Sequence, residues 1–206
     1  MAKSRPIEFV GGPNPATLRA WPEEHVFKCN LYMHPEDDGE TREIQEQRVL
    51  QLYDACLVND RRLLLEVQAT PRTTYDGDSV ARLLQRFYEI GVRPEWWKLP
   101  PDLDPAVWAR IGDVVRRHDP YCAGLLVLGQ AMEEERLAES FAAAASEPLC
   151  RGFAIGRSIY GEPGRRWLAG EADDEKLVSS VAERYGRMNA LWQNRNAEHA
   201  RKGAAR

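Results

Sequence analysis

The stretch Pro94-Glu95-Trp96-Trp97-Lys98-Leu99-Pro100-Pro101 decides how the rest of the chain is read. It is a short apolar strand candidate, closed by a Pro-Pro pair that cannot continue a hydrogen-bonded ladder. Lys98 sits near its C-terminal end, just behind two indoles. Lysine is among the residues least often buried, because its ammonium loses solvation without a partner. A lysine inside an aromatic strand either reaches solvent or is held there for its chemistry. Two more apolar strand candidates carry an ionisable residue at mid-strand: Lys28 in His25-Val26-Phe27-Lys28-Cys29-Asn30-Leu31-Tyr32, and Glu66 in Leu63-Leu64-Leu65-Glu66-Val67.

Outward from these three stretches the chain alternates. Strands are expected over 26–33, 62–69, 94–99, 122–128 and 152–155, and helical periodicity over 41–57, 78–90, 104–118, 133–145 and 173–192. Asp78 or Ser79 is expected to cap the second of these helices, which Gly91 ends. Asp104-Pro105 opens the third with a capping residue and a first-turn proline. Residues 1–24 read as an irregular lead-in, with a Gly- and Pro-rich turn cluster at 9–15 and a short helix over 15–20. Residues 194–206 read as a polar, flexible tail.

Strand followed by helix, five times, with near-continuous apolar strands, argues parallel strands covered by helices. Right-handed crossovers then leave a doubly wound sheet or part of a closed barrel. No Gly-x-Gly-x-x-Gly fingerprint or phosphate loop follows any strand, which favours the barrel. A closed barrel of this class has eight units and needs ~250 residues. Here there are five units in 206 residues.

Composition narrows the function. The length suits one large domain, and the net charge of -4 is well mixed, with no nucleic-acid or membrane footprint. The longest apolar runs fall far short of the ~18 residues of a spanning helix. No apolar stretch follows the charged N-terminus, so no signal peptide is visible and a cytoplasmic location is expected. Cys29, Cys56, Cys122 and Cys150 lie far apart without a C-x-x-C pair, and read as free thiols rather than a disulfide or zinc set. His34 with Glu36, Asp37 and Asp38 reads as a polar loop, since no second histidine is spaced to complete a metal site. Trp97, Trp167 and Trp192 read as packing residues, the last two on helix faces.

Residues of equal parity share a strand face. Lys28 falls with Val26 and Asn30, Glu66 with Leu64 and Gln68, and Lys98 with Trp96. If those faces point into a barrel, two lysines and a carboxylate converge near its C-terminal mouth, where such folds keep their chemistry. A second ammonium and partial burial both favour a neutral, nucleophilic amine, and a carboxylate between the lysines can carry protons. Iminium chemistry needs such a set: an amine attacks a ketone, and the cationic nitrogen takes up electrons when a neighbouring carbon–carbon bond breaks. Trp96 also stands to wall the pocket. Gly156-Arg157 after the last strand, with Gly129 after the fourth, offers backbone N–H groups and a guanidinium fork for phosphate.

Lys28-Cys29 with Tyr32-x-His34-Pro35-Glu36-Asp37, Leu63-Leu64-Leu65-Glu66-Val67, Pro94-x-Trp96-Trp97-Lys98-Leu99, Asp119-Pro120-Tyr121-Cys122 and Gly152-Phe153-Ala154-x-Gly156-Arg157-Ser158-Ile159 together resemble one family. It is the aldolase-like domain found fused behind 5-dehydro-2-deoxygluconokinase in bacterial myo-inositol catabolism, similar in turn to class I tagatose-bisphosphate aldolases. The resemblance runs from about residue 5 to 192 and aligns with the C-terminal part of the family domain. It implies an aldolase-type (β/α)8 TIM barrel represented by its C-terminal five units, strands four to eight. The family's first three strands, with an aspartate such aldolases use, have no counterpart here. The resemblance further implies that Lys98 forms a Schiff base, that Glu66 and Lys28 move protons, and that Arg157, Gly156 and Gly129 hold phosphate. No cofactor and no metal are implied. The expected reaction cleaves 6-phospho-5-dehydro-2-deoxygluconate, a phosphorylated keto sugar acid, to dihydroxyacetone phosphate and malonate semialdehyde. The alternative is a non-catalytic module, a barrel fragment that binds a sugar phosphate or completes a partner chain. Unclosed strand edges lead one to expect a homo-oligomer or a barrel-completing partner chain.

Overall fold

The computed structural model describes residues 6–9, 15–69, 74–130 and 132–204. Most of the turn cluster expected at 9–15, and the centre of the loop after the second strand, lie outside them. Among the described residues the elements are α1 (Pro15–Arg19), β1 (Val26–Tyr32), α2 (Gly39–Val58), β2 (Arg62–Gln68), α3 (Ser79–Glu89), β3 (Trp96–Leu99), α4 (Pro105–His118), β4 (Gly124–Leu128), α5 (Glu134–Ala144), β5 (Cys150–Ala154), α6 (Arg157–Leu168) and α7 (Asp174–Ala204). No helix among them is long and apolar enough to cross a membrane.

The strands form one sheet in the order β1-β2-β3-β4-β5, and β1–β2 and β2–β3 pair in parallel. Each strand lies beside its sequence neighbour, without the reversal of order that marks a doubly wound sheet. The alternating pattern left a doubly wound sheet or part of a barrel, and this strand order agrees with the second.

The chain falls into two compact units, one made of Met1–Leu99 and Ala109–Leu125, the other of Pro100–Trp108 and Leu126–Arg206. In the first, the odd-numbered residues of β1–β3 form the core face: Cys29, Leu31, Leu63, Leu65, Val67, Trp97 and Leu99 are each at most 5 % exposed. Val49 and Leu52 of α2, and Leu83, Leu84 and Phe87 of α3, are buried too. Trp97 donates its indole N–H to the Tyr88 hydroxyl at 2.7 Å and meets the Phe87 and Tyr88 rings at 6.0 and 5.7 Å. Asp38 caps α2 through the Thr41 N–H. Gly91 ends α3 at φ +93°, a left-handed position that favours glycine. The cap of α3 differs from expectation. Asp78 occupies the N-cap without a side-chain bond to the helix, while Asp76 takes the Ser79 hydroxyl at 2.6 Å and pairs with Arg82. Asp104 does cap α4, accepting from the Ala106 N–H at 2.9 Å.

In the second unit α7 packs on α5 and α6. The Phe141 ring stacks on Phe153 and meets Trp192 edge-on at 5.2 Å. The sequence reading set Trp167 on a helix face but gave no bounds for helix α6, because Gly161, Pro163 and Gly164 are breakers by local propensity. It forms all the same, with Ile159 and Pro163, one turn apart, buried, and Glu162 held by Arg184 of α7. Tertiary packing overrides propensity here. Trp167, expected as a core residue, is 41 % exposed and donates to Asp174 at 2.7 Å. The last helix was expected to end near Trp192 but runs to Ala204. Residues 193–202 hold no glycine or proline, and the Arg195 guanidinium lies 4.0 Å over the Trp192 ring.

Candidate active site

Parallel register builds the site in the first unit. Lys28 lies beside Leu64 and Leu64 beside Trp96; Asn30 lies beside Glu66 and Glu66 beside Lys98. Side chains alternate along a strand, so Lys28, Asn30, Glu66, Gln68, Trp96 and Lys98 share the face opposite the core. One oxygen joins them. Glu66 Oε2 accepts from Lys28 Nζ at 2.7 Å and from Lys98 Nζ at 2.9 Å. Lys28 Nζ also donates to Asn30 Oδ1 at 3.0 Å, and Gln68 Nε2 donates to Glu66 Oε1. The Glu66 side chain is 4 % exposed, that of Lys98 12 %, and that of Lys28 39 %. The carboxylate is therefore enclosed, while an ammonium beside it opens to solvent.

Burial pushes the Glu66 carboxyl up, but the hydrogen bonds and charges of Lys28 and Lys98 more than offset it and hold it below the usual carboxylate range. A depressed pKa means stability that is fully present above the unfolded value and lost as pH falls through the folded one. Acidification below about pH 5 should therefore cost the wild-type protein more stability than Glu66→Gln, which has nothing there to protonate. At neutral pH the same substitution leaves two ammoniums side by side without a counter-charge. Breaking a fully buried pair costs ~3–5 kcal/mol; with Lys28 partly in water, about 2–3 kcal/mol is expected. Urea denaturation at a series of pH values measures both effects, and parallel curves for the two proteins would contradict the assignment.

Other groups near the site are quiet. Burial pushes the Cys29 thiol up to about 12, against the lowering effect of Lys28, so no thiolate competes as nucleophile at neutral pH. All four cysteines are free. The polar groups of the His34 loop are engaged within it and with neighbouring segments: Asp37 accepts from the His34 N–H at 2.8 Å, the Glu36 N–H donates to His34 Nδ1, His34 Nε2 lies 3.3 Å from the Thr74 carbonyl, Arg82 pairs with Glu36, and the Tyr75 hydroxyl donates to the Met33 carbonyl at 2.7 Å. Among the described residues no group of three or more His, Cys, Asp or Glu is placed to hold a metal.

Of the residues expected in the site, Lys28, Glu66, Lys98 and Trp96 come together on one face. Gly129, Gly156 and Arg157 belong to the second unit. There Gly129, after β4, faces Ile155, after β5: a Cβ at Gly129 would meet the Ile155 side chain at 3.0 Å. A Cβ at Gly156 would meet the Tyr160 ring at 2.9 Å. Both glycines thus lie against close side chains that would have to give way to a Cβ, a packing reason distinct from the anion-binding one expected. Arg157 is exposed at the first turn of α6, where helix N–H groups and dipole favour an anion. The sequence reading placed Asn30 and Gln68 on the active face but gave them no role. Their contacts to Lys28 and Glu66 supply one, and the signal for it was their parity.

The family profile described as an uncharacterized protein conserved in bacteria (DUF2090) matches residues 1–196. The chain belongs to the DUF2090 family. Its fold is similar to that of fructose-bisphosphate aldolase from Plasmodium falciparum, solved in complex with TRAP and a small-molecule inhibitor, with a TM-score of 0.57 and 14 % identity. The superposition covers 88 % of this chain but only 59 % of the aldolase chain. At that identity the likeness is one of fold: the DUF2090 chain has an aldolase-like α/β architecture. Among curated proteins none matches it significantly.

Proposed function

We propose that the chain carries the C-terminal five units of an aldolase-type (β/α)8 barrel, strands four to eight, and that its chemistry is carbon–carbon bond cleavage through a lysine Schiff base. One observation carries the reading: two lysines on alternate sides of a single enclosed carboxylate oxygen, on the same face of consecutive strands. The aldolase-like fold and the motif resemblance support it.

In the proposed reaction Lys98 Nζ, relieved of a proton, attacks the ketone carbon and the adduct loses water to give an iminium. The carbon–carbon bond two atoms away then breaks. Its electron pair flows to the iminium nitrogen as an enamine, and the hydroxyl on the departing carbon gives up its proton to become an aldehyde. Protonation and hydrolysis of the enamine release the second product and restore Lys98. Glu66, in contact with both nitrogens, relays protons between Lys98 and Lys28. Trp96 walls the face, and Arg157 with Gly156 and Gly129 holds phosphate. The specific substrate we propose is 6-phospho-5-dehydro-2-deoxygluconate, cleaved to dihydroxyacetone phosphate and malonate semialdehyde, in a cytoplasmic protein of myo-inositol catabolism. Because β1 and β5 stand at the two ends of the strand order, we propose them as the edges at which a second copy or a barrel-completing chain associates.

Release of dihydroxyacetone phosphate from that substrate by the purified chain tests the reaction. Binding without turnover would overturn it in favour of a non-catalytic sugar-phosphate module. Arg157→Ala should weaken binding of the phosphorylated substrate by roughly 1.5–3 kcal/mol, the scale of hydrogen bonds to charged groups, and leave a dephosphorylated analogue unaffected. Titration calorimetry with both ligands decides this, since equal losses would make the arginine structural.

A further inference from the structure

The Glu66 carboxylate is bonded asymmetrically. Both lysines use Oε2, at 2.7 and 2.9 Å, and Oε1 is taken by the side-chain amide of Gln68. A carboxylate has two oxygens and about four acceptor positions, so two ammoniums approaching from opposite neighbouring strands can share one oxygen or take one each. Here they share Oε2, while the other oxygen accepts from Gln68.

The geometry points to Gln68 as a positioning residue that reserves Glu66 Oε1 for itself and so makes Lys28 and Lys98 share Oε2. Gln68 stands two residues beyond Glu66 on β2, on the same face, at the position paired with Tyr32 at the end of β1. From there its Nε2 reaches Oε1 along the strand rather than across it, turning the carboxylate plane so that Oε2 lies between β1 and β3. The charged groups facing Glu66 are Lys28 from β1 and Lys98 from β3; Gln68 adds a donor without adding charge. A glutamate at position 68 would instead bring a second carboxylate to compete for the same ammoniums. The consequence for the proposed aldol chemistry, on which the kinetic part of this inference rests, is that a proton moving between the two lysines crosses one oxygen and needs no rotation of the carboxylate.

Gln68→Met keeps the length of the side chain and removes the donor. In a crystal structure of Gln68→Met the carboxylate should turn so that Lys28 and Lys98 bond to different oxygens. Both lysines remaining on Oε2 would overturn the assignment. In kinetics with the phosphorylated ketose, kcat should fall roughly tenfold while KM stays within about twofold, as for a group acting only after binding. A lower Tm with unchanged kcat would mean Gln68 serves only the fold. Should Gln68→Met fail to fold, the wild-type protein still decides: a charge-assisted bond should move one Gln68 side-chain amide proton well downfield of its partner, and two protons at free-amide positions would overturn the proposal. If the crystal and NMR results hold but the wild-type protein turns over no ketose phosphate, the positioning role stands and the aldolase reading falls.

Discussion

Borohydride added together with a keto-sugar phosphate is expected to leave a reduced adduct on Lys98 and on no other lysine. Reduction traps an imine as a stable secondary amine, so peptide mapping reports which nitrogen attacked the ketone. Lys98 is the better placed of the two lysines, because it is enclosed where Lys28 opens to solvent, with 12 % against 39 % of its side chain exposed. Water competes less for an enclosed nitrogen and its adduct. Lys98→Arg retains a cation for Glu66 but cannot form an imine readily. It should fold, bind the substrate, escape trapping, and lose roughly four orders of magnitude or more in kcat, the scale on which removal of a covalent nucleophile is felt. Lys28→Ala should still be trapped on Lys98. An adduct on Lys28 would exchange the roles of the two lysines, and activity that survives borohydride but vanishes with a chelator would remove the Schiff base from the mechanism.

The largest loss of stability should follow Trp97→Ala. Trp97 is fully buried, packs against Phe87 and Tyr88, and satisfies the Tyr88 hydroxyl. Burial pushes the pKa of that hydroxyl up, so it remains a neutral acceptor. Truncation to alanine empties the centre of the first unit and costs ~3–5 kcal/mol, with the lost Trp97–Tyr88 hydrogen bond adding to it. Trp97→Phe, which keeps most of the ring and gives up the N–H, should cost about 1–2 kcal/mol. Urea denaturation followed by far-UV circular dichroism compares them. A loss below about 1 kcal/mol for alanine would mean the cavity closes.

The adjacent tryptophan and lysine of β3 show why so much could be read from sequence. In a strand, parity alone sends Trp97 to the core and Lys98 to the other face, and the same rule applied to Lys28 and Glu66 brings the charged residues together before any distance is known. Repeated strand–helix units with apolar strands likewise lead to a parallel sheet, and the absence of a nucleotide-binding fingerprint after any strand favours strands in sequence order over a doubly wound arrangement. What parity does not contain is which oxygen a carboxylate offers to whom, so the part played by Gln68 needed coordinates. Helix α6 was hidden for a different reason: Gly161, Pro163 and Gly164 give it poor local propensity, and contacts with α7, distant in sequence, make up the difference. Trp167 misled because a large aromatic at helical spacing usually marks a core, whereas here its indole N–H is occupied at the surface by Asp174.

The alternation along β2 also has an evolutionary and engineering consequence. Leu65 and Val67 are fully buried, and Glu66 between them holds both lysines. Changes at even positions of this strand act on the Lys28–Glu66–Lys98 cluster with little disturbance of the hydrophobic side, and odd positions can be repacked without touching the ion pairs. Insertion or deletion of a single residue within β2 has no such latitude. Placed before Glu66, it would swing that carboxylate into the apolar interior and turn Leu65 or Val67 toward the ammoniums, disrupting the core and the ion-pair cluster in one event. Libraries that vary residues in place should therefore yield many folded proteins, whereas frame-preserving length variants within Arg62–Gln68 should yield almost none.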